Sequence, residues 1–208
     1  VEDIDGNVYQ TVKIGNQWWM AENLKVGHYR NGQEIAEISD AIEWMNSKIG
    51  ACCIYDNNPA NAEIYGRLYN WYAVSDNRDI APIGWHVPTE EEWQQLEIHL
   101  GINPSDVNNN GDRGTDEGGK LKEIGTVHWR SPNAGATNES GFSALPGGLR
   151  STQGEFSSIG ETTYMWSSSE SETNDVNGWE HNLWYNTASI GRHAQNKAGG
   201  FSVRCVKD

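Results

Sequence analysis

Apolar and polar positions alternate with two different periods along this chain, and the change of period locates its elements. Behind Thr89-Glu90-Glu91-Glu92, the residues Trp93, Leu96 and Leu100 recur at the spacing of one helix face. Thr89 and Glu92 stand as a capping box requires, so each side chain can satisfy a backbone N–H left unpaired at a helix start. Pro88 and Trp93 are placed to pack across that cap, and the glutamates suit the positive end of the helix dipole. Gly101 can end the helix. The pattern predicts a short amphipathic helix that the rest of the chain packs around, entered from the strand-like stretch Gly84-Trp85-His86-Val87. A second helix is predicted over Asn61–Val74, where Tyr65, Leu68, Tyr69 and Tyr72 share a face.

Elsewhere the period is two. Val8, Gln10 and Val12 alternate with Tyr9, Thr11 and Lys13, and Gly15-Asn16 is a hairpin turn signal, so residues 7–20 read as an opening β-hairpin. Trp18 and Trp19 then point to opposite faces, which leaves at most one of them in a core. Residues 21–60 are irregular, with a helical turn at Ile42–Met45, a strand at Cys52–Tyr55 and turn chemistry at Asp56-Asn57-Asn58-Pro59. Downstream come a helical turn at Lys120–Ile124 and short strands at Val127–Trp129 and Phe142–Leu145. Strands follow at Thr162–Ser168, Trp179–Tyr185, Ala188–His193 and Gly200–Lys207. In the last of these Phe201, Val203 and Cys205 share a face, which places Cys205 inward. Helices early and strands late imply an α+β fold on an antiparallel sheet. No linker, repeat or low-complexity run interrupts 1–208, so a single domain is expected.

Composition narrows the partners. A formal net charge of −14 makes nucleic acid and anionic membranes poor ones, since both call for a basic surface. No span approaches the roughly 20 apolar residues of a membrane helix. Ten Trp and eight Tyr against three Phe give an aromatic set with polar handles, suited to half-wet surfaces. Cys52, Cys53 and Cys205 form neither a dense disulfide scaffold nor a CxxC pattern. Beginning at Val1 without a signal peptide, the chain reads as a mature fragment or an excised domain.

Candidate chemistry lies in two places. Asp106, Asn108, Asn110, Gly111, Asp112 and Glu117 fit the calcium-loop pattern D-x-[DN]-x-[DN]-G-x5-E, in which hard oxygens on alternate residues wrap one Ca²⁺. Arg113 stands where an apolar residue usually packs, and Gly118-Gly119 replaces the following helix, so a solvated Asn/Asp turn is the alternative. Asp175, Asn177 and Glu180 make a weaker metal candidate. The six histidines show no metal-ligand spacing; His86 reads as structural, and His181 and His193 as possible ligand contacts. Ser167-Ser168-Ser169 lacks the glycines of a nucleophile elbow, and nothing around Cys52-Cys53 activates a thiolate, so no enzyme activity is expected. The second place is the stretch from Trp166 to Asn196. There Trp179, His181, Trp184, Tyr185 and Arg192 stand among Asn, Ser and Glu, a set that can stack on sugar rings or line an adaptable protein-binding surface. Alternation turns Trp179 and Trp184 to opposite faces, and Trp184 is taken as the exposed one.

Asp5-Gly6-Asn7-Val8-Tyr9, Asn16-Gln17-Trp18-Trp19-Met20-Ala21-Glu22-Asn23-Leu24, Tyr65-Gly66 with Leu68-Tyr69-Asn70-Trp71-Tyr72-Ala73-Val74, and Gly84-Trp85-His86-Val87-Pro88-Thr89 run in order along the chain. So do Ala136-Thr137-Asn138-Glu139-Ser140-Gly141-Phe142, Leu145-Pro146-Gly147-Gly148, Trp166-Ser167-Ser168 and Gly200-Phe201-Ser202-Val203-Arg204-Cys205-Val206. Together they resemble the Fibrobacter succinogenes major paralogous domain family, which is similar to the formylglycine-generating-enzyme branch of the C-type lectin fold. The resemblance implies a C-type-lectin-like α+β domain with paired N- and C-terminal strands, two main helices and long loops. Such domains are typically found in secreted or surface lipoproteins of Bacteroidetes, Fibrobacteres and relatives, and some relatives look like binding proteins diversified near the C-terminal end. The sequence departs from the pattern at Ala81, where many members carry Cys, and at about 102–117, which looks like an insertion. With that partner missing, a Cys53–Cys205 bridge is expected, leaving Cys52 free. The enzyme relatives use a cysteine pair near the C-terminal end, where this chain has only Cys205. The reading is a non-catalytic binding module, monomeric within a larger secreted or cell-surface protein, lipoprotein anchoring included. It recognises carbohydrate or a surface protein, with Ca²⁺ as a candidate cofactor. A formylglycine-generating-type oxidase relative and a structural spacer are the alternatives.

Overall fold

The opening hairpin forms where the alternation puts it. Strands β1 (Thr11–Ile14) and β2 (Gln17–Met20) pair antiparallel, with Val12 opposite Trp19. Trp19 is fully buried and Trp18 is 43% exposed, the division that opposite faces require. The computed structural model describes residues 1–172 and 174–208. After β3 (Ala36–Glu37), helix α1 (Ala41–Asn46) is capped by Asp40, whose side chain accepts from the N–H groups of Ile42 and Glu43. Strand β4 (Ala51–Cys53) follows.

The second predicted helix is three elements instead of one: α2 (Pro59–Tyr65), β5 (Leu68–Tyr69) and α3 (Trp71–Val74). Gly66 breaks it with φ +76°, in a place where a Cβ would stand 2.8 Å from both Asn23 Cβ and the Leu24 carbonyl oxygen. Asn70 then starts α3 by accepting from the Ala73 N–H. The shared face of tyrosines and leucine was a coincidence of spacing across a turn.

Strand β6 (Trp85–His86) leads into α4 (Glu90–Leu100), the longest helix. Both halves of its capping box are present, Gly101 closes it, and Trp93 and Leu96 are fully buried. Strand β7 (Gly111–Arg113) precedes α5 (Glu117–Leu121), which begins three residues before the predicted turn. Val127–Trp129 and Phe142–Leu145 form no strand. Trp129 is held by its indole N–H donating to the Ala144 carbonyl, and Ala144 makes a lone bridge to Lys122. Strands β8 (Leu149–Arg150) and β9 (Phe156–Ser157) pair with each other. Then come β10 (Thr162–Glu170), β11 (Asn177–Trp184), β12 (Ile190–Asn196) and β13 (Val206–Lys207). The final strand is shorter than predicted because Gly200, Phe201 and Ser202 bridge singly to Arg150, Tyr69 and Met165.

The result is a mixed α+β structure with several largely antiparallel sheets and few helices. One sheet runs β1-β2-β13-β6, so Val206 lies between Trp19 and His86 and the two ends of the chain are joined. A second runs β10-β11-β12-β7, antiparallel throughout. Helix α4 lies between them, its Trp93 and Leu96 packed with Trp19, Phe142, Met165 and Leu183. No helix among the described residues is long and apolar enough to cross a membrane.

The expected Cys53–Cys205 bridge does not form, and all three thiols are free and buried. Alternation along β4 is the reason: Cys52 joins Cys205 in one core cluster, while Cys53 points into another with Trp44 and Tyr55. Burial pushes the Cys52 and Cys53 thiols up to about 12 and raises Cys205 as well.

Candidate functional site

Strand β11 lies inside the second sheet and divides the predicted ligand-binding residues between two faces. Trp179, His181 and Leu183 face α4; Glu180, Asn182 and Trp184 face the other way. On the α4 side, the His181 ring stacks on Trp93 with centroids 4.5 Å apart. It bonds Glu97 through Nδ1 at 2.7 Å and Glu90 through Nε2 at 3.0 Å. Two carboxylates on one imidazole require both ring nitrogens to donate. Burial alone would lower the His181 pKa, yet Glu90 and Glu97 hold it up at about 9. Burial would likewise raise Glu90, but His181 and Arg192 bring it down to about 2. Arg113 clamps Glu97 at 2.7 and 2.8 Å. Arg192 lies 3.6 Å over the Trp179 ring and donates to Glu90 at 2.6 Å.

This arrangement corrects the sequence reading of three residues. His181 is 0% exposed, and Trp179 and Arg192 are buried beside it. Period-two alternation gives the face of a residue and not its depth, and here both faces of β11 are covered. The network ties the first turn of α4 to the sheet instead of presenting groups to a ligand.

The same arginines account for the calcium-like loop. Arg192 donates to the Asn108 carbonyl at 3.0 Å and to Asn110 Oδ1 at 3.1 Å, and Arg113 donates to the Val107 carbonyl. Asn108 Oδ1 accepts from Gln94. Asp112 belongs to β7, and Glu117 accepts from the Thr115 and Asp116 N–H groups. Asp106 is exposed. The five predicted ligands are thus spread over a turn, a strand and a helix start. No group of three or more His, Cys, Asp or Glu suited to a metal occurs among the described residues.

The opposite face of the sheet is polar, aromatic and partly open. Tyr164 on β10 and Trp184 at the end of β11 are half-buried, with ring centroids 6.2 Å apart. Tyr185 is half-buried under Arg130, whose guanidinium is 5.1 Å from its ring. His193 and Gln195 on β12 are half-buried on the same face. Glu180 lies at the centre, paired in register with Trp166 and His193. It is 0% exposed, and among the described residues its carboxylate accepts only from Asn182 Nδ2, at 2.9 and 3.3 Å. Burial pushes its carboxyl up to about 8, against the lowering effects of Asn182, His181 and Arg113. Asn182 Oδ1 has no partner among the described residues, and a Cβ on Gly191 opposite would stand 2.3 Å from it.

Beside Tyr164 the face dips into a depression of about 210 Å³, bounded by the Leu149–Gln153 turn, the end of β12 and Phe201. Tyr164 and Phe201 stack at 5.0 Å along its wall. Sequence analysis missed Tyr164 and Gln195 because the aromatic cluster near Trp179 outweighed them; the alternation of β10 and β12 would have put both on the face of Trp184. Another depression, of about 150 Å³ beside Ile4 and Ile83, is mainly apolar; of its charged members Glu2, Asp3 and Arg30, the last two are already paired. His86, as expected, is structural, held between Asp208 and Glu92.

No curated protein and no solved structure matches this chain. The sequence profile of the Fibrobacter succinogenes major domain matches residues 12–207, spanning both main sheets and every helix, and the chain therefore belongs to that family.

Proposed function

We propose that the chain is a single non-catalytic binding module of C-type-lectin-like fold, part of a secreted or cell-surface protein. It engages carbohydrate or a surface protein on the open face of the β10–β11–β12 sheet. The observation that carries this reading is that face itself. Tyr164, Trp184, His193 and Gln195 are all half-buried on it, residue types whose partial exposure suits recognition more than packing. Of the five residues first assigned to ligand, Trp184 stays in the site; Tyr185 packs against the α4-side cluster under Arg130, and Trp179, His181 and Arg192 support the sheet from beneath. The oxidase alternative needs an accessible, activated thiol, and the three buried thiols with raised pKa values lend it no support.

The test is a glycan array and a panel of purified bacterial surface proteins, each probed with and without calcium. Trp184→Ala should cost roughly 2 kcal/mol of binding, the range of hot-spot truncations, with little change in melting temperature. Calcium should leave binding unchanged, because two oxygens of its candidate loop, the Asn108 carbonyl and Asn110 Oδ1, already accept from Arg192. Full affinity in a stable Trp184→Ala protein would remove this face from consideration. Absence of any ligand in either panel would favour the spacer alternative.

A further inference from the structure

We infer that the depression beside Tyr164 is a subsite for one uncharged pyranose unit of a glycan. This rests on the binding-module reading and narrows it. Four side chains on the rim or wall, Tyr164, Thr152, Gln153 and Gln195, make no side-chain hydrogen bond among the described residues, although Tyr164, Thr152 and Gln195 are half-buried. Two hydroxyls and two amides around one hollow offer donors and acceptors in equal measure. Sugar hydroxyls, which both donate and accept, match that set.

The wall adds an apolar surface. Tyr164 is stacked on Phe201 and edge-on to Trp184, so its ring is fixed in place before anything binds. A ring already held loses little freedom on binding, and its flat side suits the C–H face of a pyranose.

Charge completes the assignment. No carboxylate lines the depression, on a chain whose formal net charge is −14. Arg150 is the one charged lining residue, and it is 0% exposed. Its guanidinium donates to the carbonyls of Ile38, Ser39, Asp40 and Gly154 and lies against the rings of Trp44 and Phe156. No charge is left for an anionic sugar or for an amine. The volume of about 210 Å³ suits a small unit. A protein partner would need about 800 Å² of its own surface buried and would extend well beyond this hollow.

The experiment titrates the protein with neutral disaccharides of glucose, galactose, mannose and N-acetylglucosamine, and with oligogalacturonate as the charged probe. Binding is read by saturation-transfer NMR and calorimetry. At least one neutral disaccharide should bind, with saturation transfer strongest on one ring, and oligogalacturonate should bind more weakly. Gln195→Ala and Tyr164→Phe, which preserve the Tyr164–Phe201 packing, should each weaken binding by about tenfold, the loss of one well-made polar contact. Trp18→Ala, on the far hairpin, should change nothing. Tighter binding of oligogalacturonate, or neutral binding indifferent to both variants, overturns the subsite. If such binding still falls with Trp184→Ala, the module reading survives without it. If no disaccharide binds but a surface protein does, the subsite is again overturned alone; if nothing binds, both fall.

Discussion

Replacing Glu180 by Gln should make the protein more stable, and by an amount that depends on pH. Glu180 is 0% exposed, its carboxylate accepts among the described residues from Asn182 alone, and burial is the largest cause that pushes its carboxyl from 4.5 to about 8. The sign follows from linkage. Below 4.5 the group is protonated whether the chain is folded or not, and contributes no pH dependence. Between 4.5 and 8 the unfolded chain ionises it freely while the folded chain resists, so the unfolded state is favoured increasingly as pH rises. At pH 7, about 2.5 units above the ordinary value, the penalty is about 3 kcal/mol at 1.36 kcal/mol per unit. A Gln side chain has the same shape, keeps an acceptor for Asn182 and cannot ionise. Urea unfolding followed by tryptophan fluorescence should therefore show wild type and Glu180→Gln nearly equal at pH 4. At pH 7 the variant should lead by about 2–3 kcal/mol, part of the gain being lost to a weaker hydrogen bond. The α4 network does not confuse the comparison, since Glu90, held down at about 2, stays ionised at both pH values. A loss at pH 7 would show that Glu180 is ionised and paired, an equal gain at pH 4 and pH 7 would show that folding leaves its pKa unchanged, and either would refute the reasoning.

Three further outcomes are expected. His181, raised from 6.5 to about 9 by its two glutamates against the effect of burial, contributes stability that is complete below 6.5 and lost as pH rises through about 9; in a Glu180→Gln background, stability should fall across that window, and His181→Gln should flatten the profile. Thiol titration of unreduced protein should find no reactive cysteine in the folded state and three after unfolding, whereas a single thiol after unfolding would restore the bridge. Gly66→Ala should cost about 2 kcal/mol or more in urea unfolding, because it adds a clash at 2.8 Å to a positive φ, and a cost below 0.5 kcal/mol would show the turn to be adaptable.

What could be read in advance divides by the range of the interaction that fixes it. The Thr89–Glu92 cap, the Gly15-Asn16 hairpin and the inward side of Cys205 are set by neighbours a few residues away and are where the pattern puts them, although the hairpin pairs over 11–20 and not from residue 7. Asn61–Val74 failed because its break comes from close packing of Gly66 against Asn23 and Leu24, which no local window contains. Of the candidate site, the strands that carry it were legible and the facing of their residues was not. The strands after Trp166 were expected, yet only the pairing of β11 with β10 and β12 shows that His181 is sealed under α4 and that Tyr164 and Gln195 share the open face. The surroundings of the calcium-like pattern were hidden for a related reason: the Asn108 carbonyl and Asn110 Oδ1 accept from Arg192, contributed by a strand far from the loop in sequence.

The position of β13 has a consequence for how the protein is made. Synthesis delivers residues in order, and among the strands of this domain the one that joins β2 to β6 is made last. Until Val206 arrives, Trp19 and His86 lack the partner between them, and the hairpin formed first has no sheet to belong to. Closing that sheet means bringing together the two extremes of the chain, the kind of pairing whose loop entropy slows folding most. The domain should therefore stay open and unfinished until its last strand has emerged. That is a hazard for a protein with ten tryptophans, which a holdase would relieve, and an advantage for any export route that accepts only unfolded polypeptide.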